Sequence, residues 1–147
     1  MFQPDFQGIR IHREYEPDLP SIPGDGNQLK QVFTSLLTNA RDAMPQGGRI
    51  TIRASRNEEY LKVKVEDTGC GIPRENIGKL FDPFFTTKEG SKGTGLGLSV
   101  LHGIVGVHGG NVQVESEVGR GSTFQINLPL RNNFRASHRD YTDETAD

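Results

Sequence analysis

The apolar residues of this chain follow two periods. Ile9 and Ile11 alternate with polar neighbours and lead on to Arg13 and Tyr15, which predicts a strand ahead of the turn residues DLPSIPGDG. The period then lengthens. Leu29, Val32, Phe33, Leu36, Leu37, Ala40 and Met44 form one stripe at helical spacing. Asp25, with Gln28 three residues on, predicts a capping box at the start of that helix, and Pro45 with Gly47 and Gly48 ends it. Strict alternation returns through Ile50, Ile52 and Ala54 in RITIRAS, and through Leu61, Val63 and Val65 in LKVKVED. RNEEY between them reads as a hairpin turn. After DTGCGIP a short helical piece is predicted from Glu75 to Leu80, followed by a long stretch rich in Gly, Thr and Lys. A second helix carries Leu98, Leu101, Ile104, Val105 and His108. Two closing strands, around Val112 to Val114 and Phe124 to Leu128, are joined by the turn residues EVGRGS.

The order β, α, ββ, irregular, α, ββ predicts an α/β (α+β) two-layer sandwich. Its sheet of about five strands is mixed and mostly antiparallel, with helices on one face, in contrast to the alternating parallel sheet of a dinucleotide-binding fold. From Arg131 the chain is polar and almost free of aliphatic residues. One domain over residues 1–130 followed by a disordered tail over 131–147 is the predicted organisation.

Composition narrows the function class. At 147 residues the chain suits a single domain with a real core. A net charge of −2 gives no support for a nucleic-acid partner. The single cysteine, Cys70, excludes an intramolecular disulfide and favours a reducing compartment. No apolar run approaches the roughly 18 residues of a membrane span. A cytoplasmic segment without direct membrane contact is therefore expected, whether or not a longer parent protein carries an anchor.

Three stretches carry candidate chemistry. On the long helix, Asn39 lies about 20° outside the edge of the apolar stripe at 100° per residue, with Ser35 and Asp42 on the same flank. Read alone, Asn39 suits either an oxygen ligand for Mg²⁺, held otherwise by phosphates and water, or a boundary amide bonded to a loop. Asp67 shares the inward parity of Val63 and Val65, where a carboxylate needs a donor. An exocyclic amino group such as that of adenine would supply one, and Ser122, inward with Phe124 and Ile126, could complete the contact. Gly69 and Gly71 follow, so a turn-forming Asp with flanking glycines is the alternative. Finally, GSKGTGLGLS opens the second helix. It lacks the Walker A spacing, and Leu98 stands where a dinucleotide fingerprint needs its third glycine. The preceding LFDPFFTTKEGSK offers Phe81, Phe84 and Phe85 as apolar pins and Lys88 and Lys92 as cations, a composition suited to a lid over phosphates.

Asn39, DTGCGIP, LFDPFFTTK and GTGLGLS, in that order and spacing, resemble the N, G1, F and G2 boxes of sensor histidine kinases. The resemblance runs from about Gly8 to Leu130 and is to the catalytic and ATP-binding domain, the Bergerat fold of the GHKL superfamily. It implies ATP and Mg²⁺ as cofactors. It also implies Mg²⁺ coordination by Asn39, contact of Asp67 with the adenine amino group, and an adenine pocket shaped by Gly69, Gly71, Ile72 and Ser122. Thr87, Gly93, Thr94, Gly95, Leu96, Gly97 and Leu98 would meet the nucleotide around its phosphates, with Lys88 as the cation reaching them. The implied partners are a dimeric histidine-phosphoacceptor domain and a response-regulator receiver domain.

Departures from the family pattern are informative. Ser35 stands where the superfamily's ATPases carry a Glu that activates water, so hydrolysis by this domain alone is not expected. Asp42 stands where many relatives have Lys or Arg, which leaves phosphate contacts to Arg41 or the lid lysines. None of His12, His102, His108 and His138 lies in a helix ahead of the N box, so the acceptor histidine must come from elsewhere. The alternatives are a GHKL-type ATPase and a nucleotide-binding pseudokinase or partner-switching module.

Overall fold

The structure, a computed structural model, describes residues 8–82 and 97–130. It contains strand β1 (Ile9–Tyr15), helix α1 (Gly26–Asp42), strands β2 (Gly48–Arg56) and β3 (Tyr60–Asp67), and a single-turn helix α2 (Arg74–Ile77). Helix α3 (Gly97–Val107) and strands β4 (Asn111–Glu117) and β5 (Gly121–Pro129) complete it. The five strands form one sheet in the order β1-β2-β3-β5-β4. β1 and β2 are parallel, as the intervening α1 crossover requires, and every other pair is antiparallel. The expected mixed two-layer sandwich is therefore the observed one.

Alternation along the strands separates the two faces. Ile50, Val63, Val65, Phe124, Ile126 and Leu128 are buried on one face, together with Val32, Leu36, Ala40 and Met44 of α1 and Leu101, Ile104 and Val105 of α3. These side chains of the sheet and of the two helices covering it are the core. Leu29, Phe33 and Leu37 of the predicted stripe pack against it half-buried, which marks the edges of the helix's apolar face. Among the described residues the other face of the sheet carries no apolar layer. There Arg53 is paired with Glu14 and Glu66, and Gln125, Gln113, Asn127 and Asn111 form a hydrogen-bonded cluster.

Local signals hold with two differences. Asp25 caps α1, its carboxylate accepting from the N–H groups of Asn27 at 2.9 Å and Gln28 at 3.2 Å. The return bond of a capping box is absent among the described residues, because the N–H of Asp25 donates to His108 Nε2 at 3.0 Å. The predicted helix from Glu75 to Leu80 is an α-turn only over Arg74–Ile77. Beyond Gly78 it tightens, with Lys79 and Leu80 donating three residues back to Asn76 and Ile77.

Candidate functional site

Four residues stand in one row across the sheet, all on the helix-covered face: Ile50, Asp67, Ser122 and Ser116, each directly opposite the next. Asp67 is 7% exposed and Ser122 6% exposed. Burial of the Asp67 carboxyl raises its pKa above the usual value; the N–H groups of Gly69 and Ser122 pull it partly back. The Gly69 N–H donates to Asp67 Oδ1 at 2.9 Å. The inward parity assigned to Asp67 and Ser122 is the observed one.

The loop after Asp67 is clamped on two sides. The N–H of Cys70 donates to the carbonyl of Ala43, just past α1, at 3.1 Å. At Gly69 a Cβ would lie 2.5 Å from that carbonyl oxygen and 2.8 Å from the Ala43 Cβ. Gly71 has φ +80°, and a Cβ there would collide with the carbonyl of Glu117 at the end of β4. The N–H of Gly119 donates to the Cys70 carbonyl at 2.9 Å, and that of Ile72 donates to Ser116 Oγ at 2.8 Å. The close approaches that these glycines permit are thus to the protein's own backbone, on the α1 side for Gly69 and the β4 side for Gly71. Ile72 packs half-buried against the core.

One turn before Ala43, Asn39 is half-buried on α1, and its side-chain amide has no hydrogen-bond partner among the described residues. Ser35, one turn further back, faces the start of α3: a Cβ on Gly97 would lie 3.9 Å from Ser35 Oγ. Asn39 therefore stands on the stretch of α1 between the Asp67 loop and the start of α3, an end of the helix whose dipole favours an anion. Leu98 in the first turn of α3 packs half-buried against the core. Arg41 is engaged with its neighbour: its Nε and Nη2 donate to Asp42 Oδ1 at 3.2 and 3.1 Å. The described residues contain no group of three or more His, Cys, Asp or Glu able to hold a metal. A lone amide oxygen beside an anion site fits a magnesium ion carried largely by phosphates and water, and fits no all-protein cage.

Lys88, Thr87, Gly93, Thr94, Gly95 and Leu96, and with them the lid reading, lie outside the described residues, as does His138. A concavity of about 440 Å³ at this end of the sheet is lined by Asp67, Ser116 and Ser122 together with their strand neighbours Arg49, Thr51 and Glu66.

Comparison with known proteins decides the family. The family model described as "Histidine kinase-, DNA gyrase B-, and HSP90-like ATPase" matches residues 24–132. The chain belongs to this family. It is 45% identical over 137 residues to the sensor kinase CckA of Brucella abortus, a match covering 82% of the chain and 14% of that relative. Among solved structures, the catalytic domain of the histidine kinase ThkA superposes with a TM-score of 0.77 at 33% identity, over 87% of this chain and 83% of that one. Full-length ShkA in complex with AMPPNP gives a TM-score of 0.75 at 28% identity, over 85% of this chain and 26% of that one. Within the family, then, this is a catalytic and ATP-binding domain of the sensor-histidine-kinase type, and it spans only a small part of the sensor kinase it matches.

In this kinase domain His12 is exposed on β1, bonded to Glu14 at 2.9 Å; His102 is exposed on α3 with its ring 4.9 Å from that of Phe81; and His108 is buried. No described helix is long and apolar enough to cross a membrane. Sequence reasoning missed Ser116 and the Ala43 carbonyl. Ser116 shares the inward parity of Val112 and Val114, and a hydroxyl continuing an apolar face was the available signal. A backbone carbonyl leaves no such trace.

Proposed function

We propose that the domain binds ATP with Mg²⁺ and donates the γ-phosphoryl group to a histidine on a separate dimeric phosphoacceptor domain, from which a response-regulator receiver domain would take it. The observation that carries this is the line formed by the buried Asp67 carboxylate, the Asn39 amide, which has no hydrogen-bond partner among the described residues, and the start of α3, with the Asp67 loop bonded to α1 one turn from Asn39. It presents an acceptor for a base amino group at one end and an anion site at the other. The AMPPNP complex of ShkA supports an adenine nucleotide as the occupant.

In this reading Asp67 accepts from the adenine amino group while Gly69, Gly71 and Ile72 shape the wall beside it, and Ser122 completes the polar edge. The N–H groups of Gly97 and Leu98 would meet phosphate oxygens, joined by Thr87, Gly93, Thr94, Gly95 and Leu96; Lys88 would bring a cation. Asn39 would hold Mg²⁺, which, when bound, neutralises charge on the phosphate chain. Catalysis by the chain's own groups is then positioning and electrostatics, with the general base on the acceptor helix. Ser35 offers no carboxylate to activate water, so the domain alone should release little phosphate. A cytoplasmic setting follows, since ATP and receiver domains are found there.

The test incubates the domain with labelled ATP and Mg²⁺, with and without a dimeric acceptor-helix fragment. Acid-labile phosphohistidine that appears only with the fragment is the expected result. Rapid phosphate release without it would make the domain an ATPase instead, and nucleotide binding with neither product would make it a pseudokinase module.

A further inference from the structure

Ser116 is unused by the reading above, yet it holds more of the base-binding end together than any other side chain. Its Oγ accepts the N–H of Ile72 at 2.8 Å, donates to the carbonyl of Gly121 at 3.0 Å, and lies 2.7 Å from Ser122 Oγ. A serine hydroxyl has one proton and two lone pairs. The Ile72 N–H can only donate and the Gly121 carbonyl can only accept, so the single Ser116 proton is committed to Gly121. The contact with Ser122 must then run the other way, with Ser122 donating and Ser116 accepting on its second lone pair. All three valences of Ser116 are satisfied, and the proton of Ser122 is turned away from Asp67.

On its other side Ser122 stands directly opposite Asp67 across the β3–β5 ladder. An ionised Asp67 is acceptor-only. With its own proton spent on Ser116, Ser122 also shows only lone pairs to the pocket. Two adjacent buried acceptors match the two N–H bonds of an exocyclic amino group, directly or through a water. They oppose a carbonyl at the same position, which would leave buried acceptors facing an acceptor.

Resting on the ATP-binding reading, we propose that Ser116 is a positioning residue that sets base specificity: by taking the Ser122 proton it makes the purine-reading edge acceptor-only and so selects 6-amino over 6-oxo purine nucleotides. Removing the Ser116 hydroxyl frees the Ser122 proton to turn toward a 6-oxo group. It also leaves the Ile72 N–H and the Gly121 carbonyl short of a partner, a loss that falls on both nucleotides alike.

The experiment measures dissociation constants of the intact domain for ATP and for inosine triphosphate, which differ at the 6-position. The wild type should prefer ATP. In Ser116→Ala the preference should fall by about tenfold, the scale of one misdirected buried hydrogen bond, while Ser116→Thr, which keeps a hydroxyl, restores it. A merely structural role would weaken both nucleotides equally and leave their ratio unchanged, which overturns the proposal. Should Ser116→Ala fail to fold, Ser122→Ala removes the acceptor that Ser116 orients: the preference for ATP over inosine triphosphate should fall there as well, and an unchanged ratio overturns the proposal. A wild type with no preference, or an Asp67→Asn variant that binds ATP as the wild type does, would sink the underlying nucleotide reading as well. An intact Asp67 effect with an unchanged ratio in Ser116→Ala sinks this inference alone.

Discussion

The backbone N–H of Asp25 donates to Nε2 of His108, 83 positions later in the chain, at 3.0 Å. Nδ1 of the same ring lies 2.9 Å from the carbonyl of Ile104. Since one partner only donates and the other only accepts, the ring must be the neutral tautomer with its proton on Nδ1. His108 is 1% exposed, so this pair of bonds ties the end of α3 to the cap of α1 inside the core. Replacing His108 by Ala removes a large buried ring and leaves the Asp25 N–H without an acceptor. A loss of about 2–4 kcal/mol in unfolding free energy is expected, read from urea denaturation. A loss below ~0.5 kcal/mol would show that the tie contributes little.

Asp67→Asn should separate stability from binding. The folded-state pKa of Asp67 is raised by burial, so ionisation disfavours the native state. Stability from this group is complete below the unfolded value near 3.8 and is lost as pH rises through the raised folded value. The neutral variant escapes that loss. Its melting temperature without nucleotide should exceed the wild type's at pH 7, and the gap should grow with pH just above 3.8 before levelling. ATP affinity should fall by about tenfold or more in the same variant. A less stable Asp67→Asn would contradict the sign.

Asn39→Ala removes a half-buried amide with no partner among the described residues, so its fold should be unaffected. Nucleotide affinity measured with Mg²⁺ should fall about tenfold, while affinity measured in a chelator stays close to wild type. Equal losses under both conditions would assign Asn39 to packing.

Gly71→Ala places a Cβ at φ +80° and against the Glu117 carbonyl. The strain should cost about 1–3 kcal/mol, and shifting the β4 end should weaken nucleotide binding with it. Thermal melts with and without ATP check both effects. An undisturbed melt would mean that the loop relaxes freely.

Most of the fold was legible because its elements obey one period each. The α1 stripe, the alternations of β2 and β3 and the Asp25 cap are local patterns, and the structure reproduces them. The short helix differs beyond Ile77 because apolar residues at Ile77 and Leu80 mimic a helical face, whereas the backbone there closes three-residue turns. The capping box was half right, since the competitor for the Asp25 N–H lies 83 residues away and leaves no local signal.

At the site, parity alone placed Asp67 and Ser122 on the covered face. Adjacency of Asp67 to Ser122, and of Ser122 to Ser116, depends on strand order β3-β5-β4, which pattern along the chain does not reveal. Gly69 and Gly71 are legible in the sequence as turn glycines beside Asp67, but their crowding against Ala43 and Glu117 is a property of the packed loop. Arg41 was available on paper as a phosphate contact, and its bidentate hold on Asp42 was invisible there.

β3 is the middle strand of the five, laddered to β2 on one side and to β5 on the other along its whole length. Edge strands can open by breaking one ladder, while the strand bearing Asp67 can expose its amides only when two give way together. Its backbone should therefore be among the last to exchange hydrogen with solvent. The side chain proposed to choose the base is mounted on one of the three strands laddered on both sides, so the accuracy of that choice should outlast fraying at either edge of the sheet.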